Sequence, residues 1–581
     1  MRNPFLVSVL LAVAGCGVDN GPVTGGDDPA PIDPTTMSQL RVTPSGFEAR
    51  VVDDVVVNHD FKAVYTAADG TVSDVTDQVE WSLADTRFGK FHGNRLTVTG
   101  DGAGASEVVA RLPDGQVAST SITVHVSGTR NLGAPDYTAS LFDSASPAAN
   151  CAPSIAYPEN HTLVPANLGA LDVHWTDAVN DLFKVHVHNL YVDLTYFARG
   201  ATWMTVDSDW SKFATSHLPI TVEVVGMQST SPTTKCTAAA RYVDVTRDDA
   251  RGAVYYWSTD WLARAQGLTG QDIMRYDLAR PAVAPAPMFT DATRPATCVG
   301  CHALSRDGSR IAMTMGGSTG RGSVIDLPSG RELMPTGPEA PRWSTAVFNH
   351  DASKLIAVEN GQMRLITATS GQTITTVANT AGTIAGNPEF SPDGTKLVNV
   401  ESTGTDDWAF GNASIVVRSF DNRANVFGEA RIVIPFDVTG GTQSYYPSWS
   451  PDGKWLAVTR SPNGNSYANP DASIWIVKAD GTVPAIELTT AGGVMDSWAR
   501  WMPSENKLYD EQVYFLTFSS TRPFGTRIPA GGLPQIWVAP FYPGRAVAGR
   551  PASGGAYRAP FQSIYASNHN AQWTTTVVNA Q

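Results

Sequence analysis

The strongest constraint on the fold is a block that recurs through the second half of the chain. It reads LSRDGSRIAMTM from Leu304, FNHDASKLIAVE from Phe348, FSPDGTKLVNVE from Phe390, WSPDGKWLAVTR from Trp449 and WMPSENKLYDEQVYFLT from Trp501. Each copy sets an apolar anchor before a polar turn, often with Asp-Gly, and follows it with an apolar strand. Strand-like runs such as Ser473 to Val477 and Gln535 to Val538 come after. One unit, of about four short strands in about 40–60 residues, buries only part of its apolar surface, so the units must stack around an axis. That pattern predicts a β-propeller. Abundant Gly and Pro (51 and 38) and scarce helical periodicity extend the all-β expectation to the whole chain.

The blocks resemble the repeat of the TolB-type six-bladed propeller, (W/F)-S-P-D-G-(K/R)-x-(I/L)-A. The resemblance covers roughly the last half of the chain and is closest at Phe390 and Trp449. At Phe348 and Trp501 the Asp-Gly pair is replaced by Asp351-Ala352 and Ser504-Glu505. It implies six blades over 261–581 and a surface that binds a protein or envelope polymer. Five blocks are plain; the sixth is split. Asn568 to Trp573 with the TTTVVN that follows fits inner strands, and Gly270 to Thr290 fits outer ones. A mixed last blade is expected, inner strands from about 565–581 and outer strands from about 255–290, which leaves no open sheet edge.

A chain of 581 residues is too long for one ordinary domain. Residues 1–16, MRNPFLVSVLLAVAGC, read as a signal peptide, with an apolar run too short to span a membrane. Val13-Ala14-Gly15-Cys16 resembles a bacterial lipobox, which implies lipidation of Cys16 and a membrane anchor; Gly17 in place of Asp points to the outer membrane. Residues 17–37 read as a flexible tether. Short alternating strands over 38–127 predict a β-sandwich and resemble bacterial immunoglobulin-like domains, which implies a spacer. A second sandwich is expected over 130–260, similar to fibronectin type III domains. The net charge of -14, with no basic stripe, argues against a nucleic-acid partner.

The chemistry concentrates at Cys298–Val299–Gly300–Cys301–His302. C-x-x-C-H is the attachment signature of a c-type haem: Cys298 and Cys301 form thioethers and His302 is the proximal iron ligand. A disulfide or structural zinc clip on the same cysteines stays open. Aligned on the anchors Leu304 and Trp573, His302 and His569 both fall where an innermost strand enters the channel, in the first and last blades of a closed ring. That makes His569 the distal candidate; Met313 and Met315 read as core. The remaining cysteines, Cys151 and Cys236, are expected to be bridged in an exported chain. His186 and His188 share a strand face that binds metal only if a third ligand such as His174 joins them; otherwise it is a solvated polar face. Gly316 to Gly320 matches G-x-S-x-G but sits between two strands, so it reads as a hairpin loop. Three functions follow: a haem protein for electron transfer or redox or ligand sensing, a non-catalytic scaffold, or a propeller hydrolase or lyase. The last lacks a recognisable nucleophile–base pair.

Overall fold

The computed structural model describes residues 39–577, apart from 261–270, 282, 291–298, 318, 406–409, 463–465, 467–468 and 490–493. The signal peptide, Cys16, the tether, Cys298 and Ser318 lie outside the described residues. Nearly every element is a strand. Among the described residues no helix is long and apolar enough to cross a membrane.

The second half forms six antiparallel sheets, five of four strands and one of five. Blade 1 runs outward through Val299–Leu304, Arg310–Met315, Arg321–Asp326 and Glu332–Met334. The innermost strands of blades 2 to 5 are Thr345–Phe348, Ile384–Phe390, Thr442–Trp449 and Asp496–Leu508. Blade 6 is mixed: Ser567–Thr574 is innermost, followed by Ala253–Thr259, Gln271–Asp277 and Ala286–Thr290. The C-terminus thus supplies one strand, and Ala253–Thr259 leaves the second sandwich to become its neighbour. Each innermost strand touches the next around the ring, and the last touches the first, so the circle is closed.

The repeated block has a physical reading. Ser305 Oγ donates to Asp307 Oδ1 (2.6 Å) and accepts from Arg310 N (2.8 Å), which locks the turn. Ser450 does the same with Asp452 and Trp455 N. Gly308 and Gly453 close these turns with φ of 76° and 67°, in the left-handed region open to glycine. In blade 2, Asn349 replaces the serine and Ala352 takes the left-handed place at φ 58°. In blade 5 there is no such turn, and the strand runs on to a hairpin after Leu508. The anchors stitch blades together: Trp449 Nε1 donates to Glu389 O (3.2 Å) and Trp501 Nε1 to Ser448 O (3.0 Å).

The two sandwiches are not separated at 127–130. One strand, Val117–Leu132, runs through that boundary. Its first part pairs with Gly104–Arg111 and Phe47–Val52, its second part with Val192–Arg199. Arg130 Nη2, near both Asp54 (2.8 Å) and Asp209 (3.3 Å), fixes the junction. Cys151 and Cys236 are disulfide-bonded, with Cα atoms 5.5 Å apart. The second sandwich then docks on blades 5 and 6. Tyr157 stacks edge-on against Phe524 and accepts from Arg558 N, and Asn167 Nδ2 donates to Leu278 O. A single apolar core spans both sandwiches and blades 4 to 6.

Candidate functional site at the axial mouth

The site is built by a repeated irregularity. In five of the six innermost strands the residue three before the anchor has a left-handed backbone: Cys301 (φ 44°), Asn387 (46°), Tyr446 (48°), Trp498 (54°) and Asn570 (53°). Each sits at a break in strand register. A β-bulge of this kind turns a side chain that would lie on a sheet face toward another direction. Asn adopts such a φ readily; Cys, Tyr and Trp do so rarely, and strained backbone of this sort gathers at functional sites. In blade 2 the matching residue, Thr345, begins the strand. All six of these residues line one cavity at the mouth of the channel, of about 260 Å3.

His302 follows Cys301 and also lines the cavity. It is 5 % exposed, and its Nε2 has no hydrogen-bond partner among the described residues. Burial pushes it down to about 4, so the imidazole is neutral. His569 is buried but is not a lining residue. Its ring packs edge-on to Trp257 (4.7 Å) and tilted against Trp498 (5.2 Å), both of which do line the cavity. Burial, then repulsion from His302 when that ring is protonated, pushes it down to about 3. The strands carrying the two histidines are neighbours, and Gln572 ties them: it accepts from Leu304 N (3.0 Å) and donates to His302 O (2.6 Å). Met313 and Met315 are buried in the core between blades 1 and 6.

Below the mouth the channel becomes polar. Glu389, Arg306, Arg500 and Gln572 line a second chamber of about 130 Å3. Glu389 accepts from Trp449 N (3.0 Å) and Ser448 Oγ (3.2 Å), with Arg500 Nη1 at 3.7 Å. Burial raises its carboxyl above the ordinary range, and Arg500 opposes this. Gly316 and Gly317 form the hairpin between the second and third strands of blade 1, and no helix follows them as a nucleophile elbow requires.

Of the C-x-x-C-H stretch, Cys301 and His302 are among the described residues and Cys298 is not. A thiol and an imidazole are consecutive on one bulge and line one cavity; the imidazole is neutral and keeps one nitrogen unsatisfied. Trp257, Tyr446 and Trp498 supply flat apolar wall. The volume lies just below the about 300–1,000 Å3 usual for small-molecule sites, which suits a small ligand or part of a larger one. The bulge residues Asn387, Tyr446, Trp498 and Asn570 went unmarked in the sequence. Their signal was their place, three residues before each anchor.

Fold and site define a β-propeller with a lined axial mouth, preceded by two fused sandwiches. No protein-family model matches the chain, and no curated protein matches it. Among solved structures it is similar to TolB from Acinetobacter baumannii, 13 % identical, covering 61 % of this chain and 79 % of that one, with a TM-score of 0.37. A candidate TolB from Agrobacterium tumefaciens is 14 % identical, covering 56 % and 99 %, with a TM-score of 0.29. An oligogalacturonate lyase in complex with manganese is 16 % identical, covering 45 % and 66 %, with a TM-score of 0.28.

Proposed function

We propose that this is a lipid-anchored envelope protein whose propeller holds a covalently attached c-type haem at its axial mouth, for electron transfer or for sensing redox state or a small ligand. One observation carries the reading: Cys301 and His302 line the same aromatic-walled cavity, and His302 Nε2 is buried with no hydrogen-bond partner among the described residues. Cys298 and Cys301 would hold the group by thioethers and His302 would bind its iron. When bound, it would supply a one-electron redox centre. Trp257, Tyr446 and Trp498 keep water from that face. Gln572 orients the strand that carries His302. His569, the distal candidate, packs behind Trp257 and Trp498 and would reach the group only if one of those rings moved aside. Lipid on Cys16 holds the ring at the outer membrane.

The test is the absorption spectrum of the chain produced with the c-type maturation machinery. A Soret band and a pyridine haemochrome that survive denaturation are expected, and both are lost in Cys298→Ser/Cys301→Ser. In His569→Ala, a shift from six-coordinate low-spin to five-coordinate iron supports the distal role; an unchanged low-spin spectrum removes it. A colourless matured chain overturns the haem reading. The mouth then belongs to a scaffold that binds a protein or envelope polymer, with the cysteines as a disulfide or metal clip.

A further inference from the structure

The second sandwich carries a group that the axial site does not use. His186 and His188 alternate along Leu182–His188 and face the same way; Glu223 stands directly opposite His186 on Ile220–Met227. Asp193 stands opposite His188 on the other neighbouring strand, Val192–Arg199. Three adjacent strands thus bring two imidazoles and two carboxylates to one patch. His174, the third ligand suggested by the sequence, is elsewhere: it lies on a different sheet, buried against Phe524 of blade 5. Glu223 takes that place.

We infer that His186, His188 and Glu223 form a binding site for a zinc-class divalent cation, with Asp193 as the positioning partner of His186. The ligand atoms of the three lie within 4.8 Å of one another, the one such cluster among the described residues. His186 Nδ1 and His188 Nε2 approach the same oxygen, Glu223 Oε2, at 3.3 and 3.6 Å. Those separations are long for hydrogen bonds, whose N–O distances centre near about 2.9 Å. They are close to the edge of a tetrahedron of ligands: bonds of about 2.0–2.1 Å to zinc place ligand atoms about 3.3–3.4 Å apart. The two rings stack at 4.1 Å with 15° between their planes, so one ring must turn about its Cβ–Cγ bond for both nitrogens to meet a common ion. The opposite nitrogen of His186, Nε2, meets Asp193 Oδ1 at 2.9 Å. A ligating histidine characteristically donates its other N–H to a carboxylate, which fixes the tautomer. The three ligands are part-exposed and Asp193 is exposed, so an ion has an open path, and three protein ligands leave a fourth position for water or a donor from another molecule.

The site is tested on the full chain carrying Cys298→Ser/Cys301→Ser, so that the thiols of the mouth take no metal. Titration with Zn2+ alone, followed calorimetrically, is expected to show one saturable equivalent. His188→Ala and Glu223→Gln should each weaken it at least tenfold. Asp193→Asn should weaken it by about 10-fold or more while keeping the stoichiometry, as lost outer-shell partners do, and His161→Ala should leave it unchanged. Circular dichroism checks that each variant is folded. On the wild-type chain produced without the c-type maturation machinery, Co2+ should give tetrahedral d–d bands that persist after the thiols are blocked. No saturable Zn2+ binding by the folded background chain, binding indifferent to both His188→Ala and Glu223→Gln, or Co2+ bands that vanish when the thiols are blocked would each overturn the assignment.

Discussion

His174 sits in the joint between the second sandwich and blade 5. Its ring meets Phe524 at 4.5 Å, and Nδ1 accepts from Thr526 N at 3.2 Å. Burial first, and the charge of Arg527 second, pushes it from 6.5 down to about 4. The folded value is below the unfolded one, so between these pH values the unfolded chain binds more protons. The neutral ring therefore contributes stability that is fully present above pH 6.5 and is lost as the pH falls toward 4. The shift corresponds to at most about 3.4 kcal/mol. His174→Gln should be less stable at pH 7 yet show a flatter decline between pH 6.5 and 4 in urea unfolding curves; an unchanged slope would contradict this assignment. In the sequence His174 was one more histidine near a histidine pair. Its real partners, Phe524 and Thr526, are some 350 positions away, and no local pattern reports a contact of that range.

At the scale of the strand, the bulge three residues before each anchor is the element that makes the site. Asn570 holds φ 53° while its N donates to Ser519 Oγ at 3.2 Å. A β-branched side chain is strained there by about 1–2 kcal/mol and glycine is not. Asn570→Val should thus unfold about 1–2 kcal/mol more easily than Asn570→Gly, measured by thermal or chemical denaturation; equal stability would remove the claim that backbone strain is held here. The anchors and Asp-Gly turns were legible because they repeat and because their chemistry is local: Ser305, Asp307 and Gly308 close a turn among themselves. The bulges were not, because strand reading assumes strict alternation and a bulge breaks it by one residue. The strand through residues 127–130 was hidden for a different reason. Its second half pairs in parallel with Val192–Arg199, and parallel partners need no turn signal between them. The Cys151–Cys236 bridge closes a span of 85 residues. Its removal as Cys151→Ala/Cys236→Ala should cost about 2–4 kcal/mol; an unchanged melting temperature would deny it a structural role.

For the whole molecule, closure of the ring is what brings His302 and His569 into neighbouring strands. Ser567–Thr574 pairs with Ala253–Thr259, and Thr575 N donates to Arg306 O across to blade 1. A chain ending at residue 560 leaves the edge of Ala253–Thr259 unpaired, and open edges aggregate. Such a chain should lose its cooperative transition and its monomeric elution; a truncated monomer with the wild-type melting temperature would mean that closure is not required. The split sixth blade was readable because its pieces matched strands of the intact ones, but the C-terminus supplies only the innermost strand and Ala253–Thr259 the second, where inner strands were expected from about 565–581. The fusion of both sandwiches to blades 4 to 6 through one core was not, since burial across domains leaves no spacing in the sequence. All of this architecture converges on the axial mouth, and the proposal for that mouth rests on a covalent bond. The most direct measurement is the intact mass, under denaturing conditions, of the chain produced with the c-type maturation machinery. The expected result is the mass of the chain plus one haem, with the added mass on the peptide that carries Cys298 and Cys301. The contradicting result is the mass of the chain alone, with that peptide unmodified.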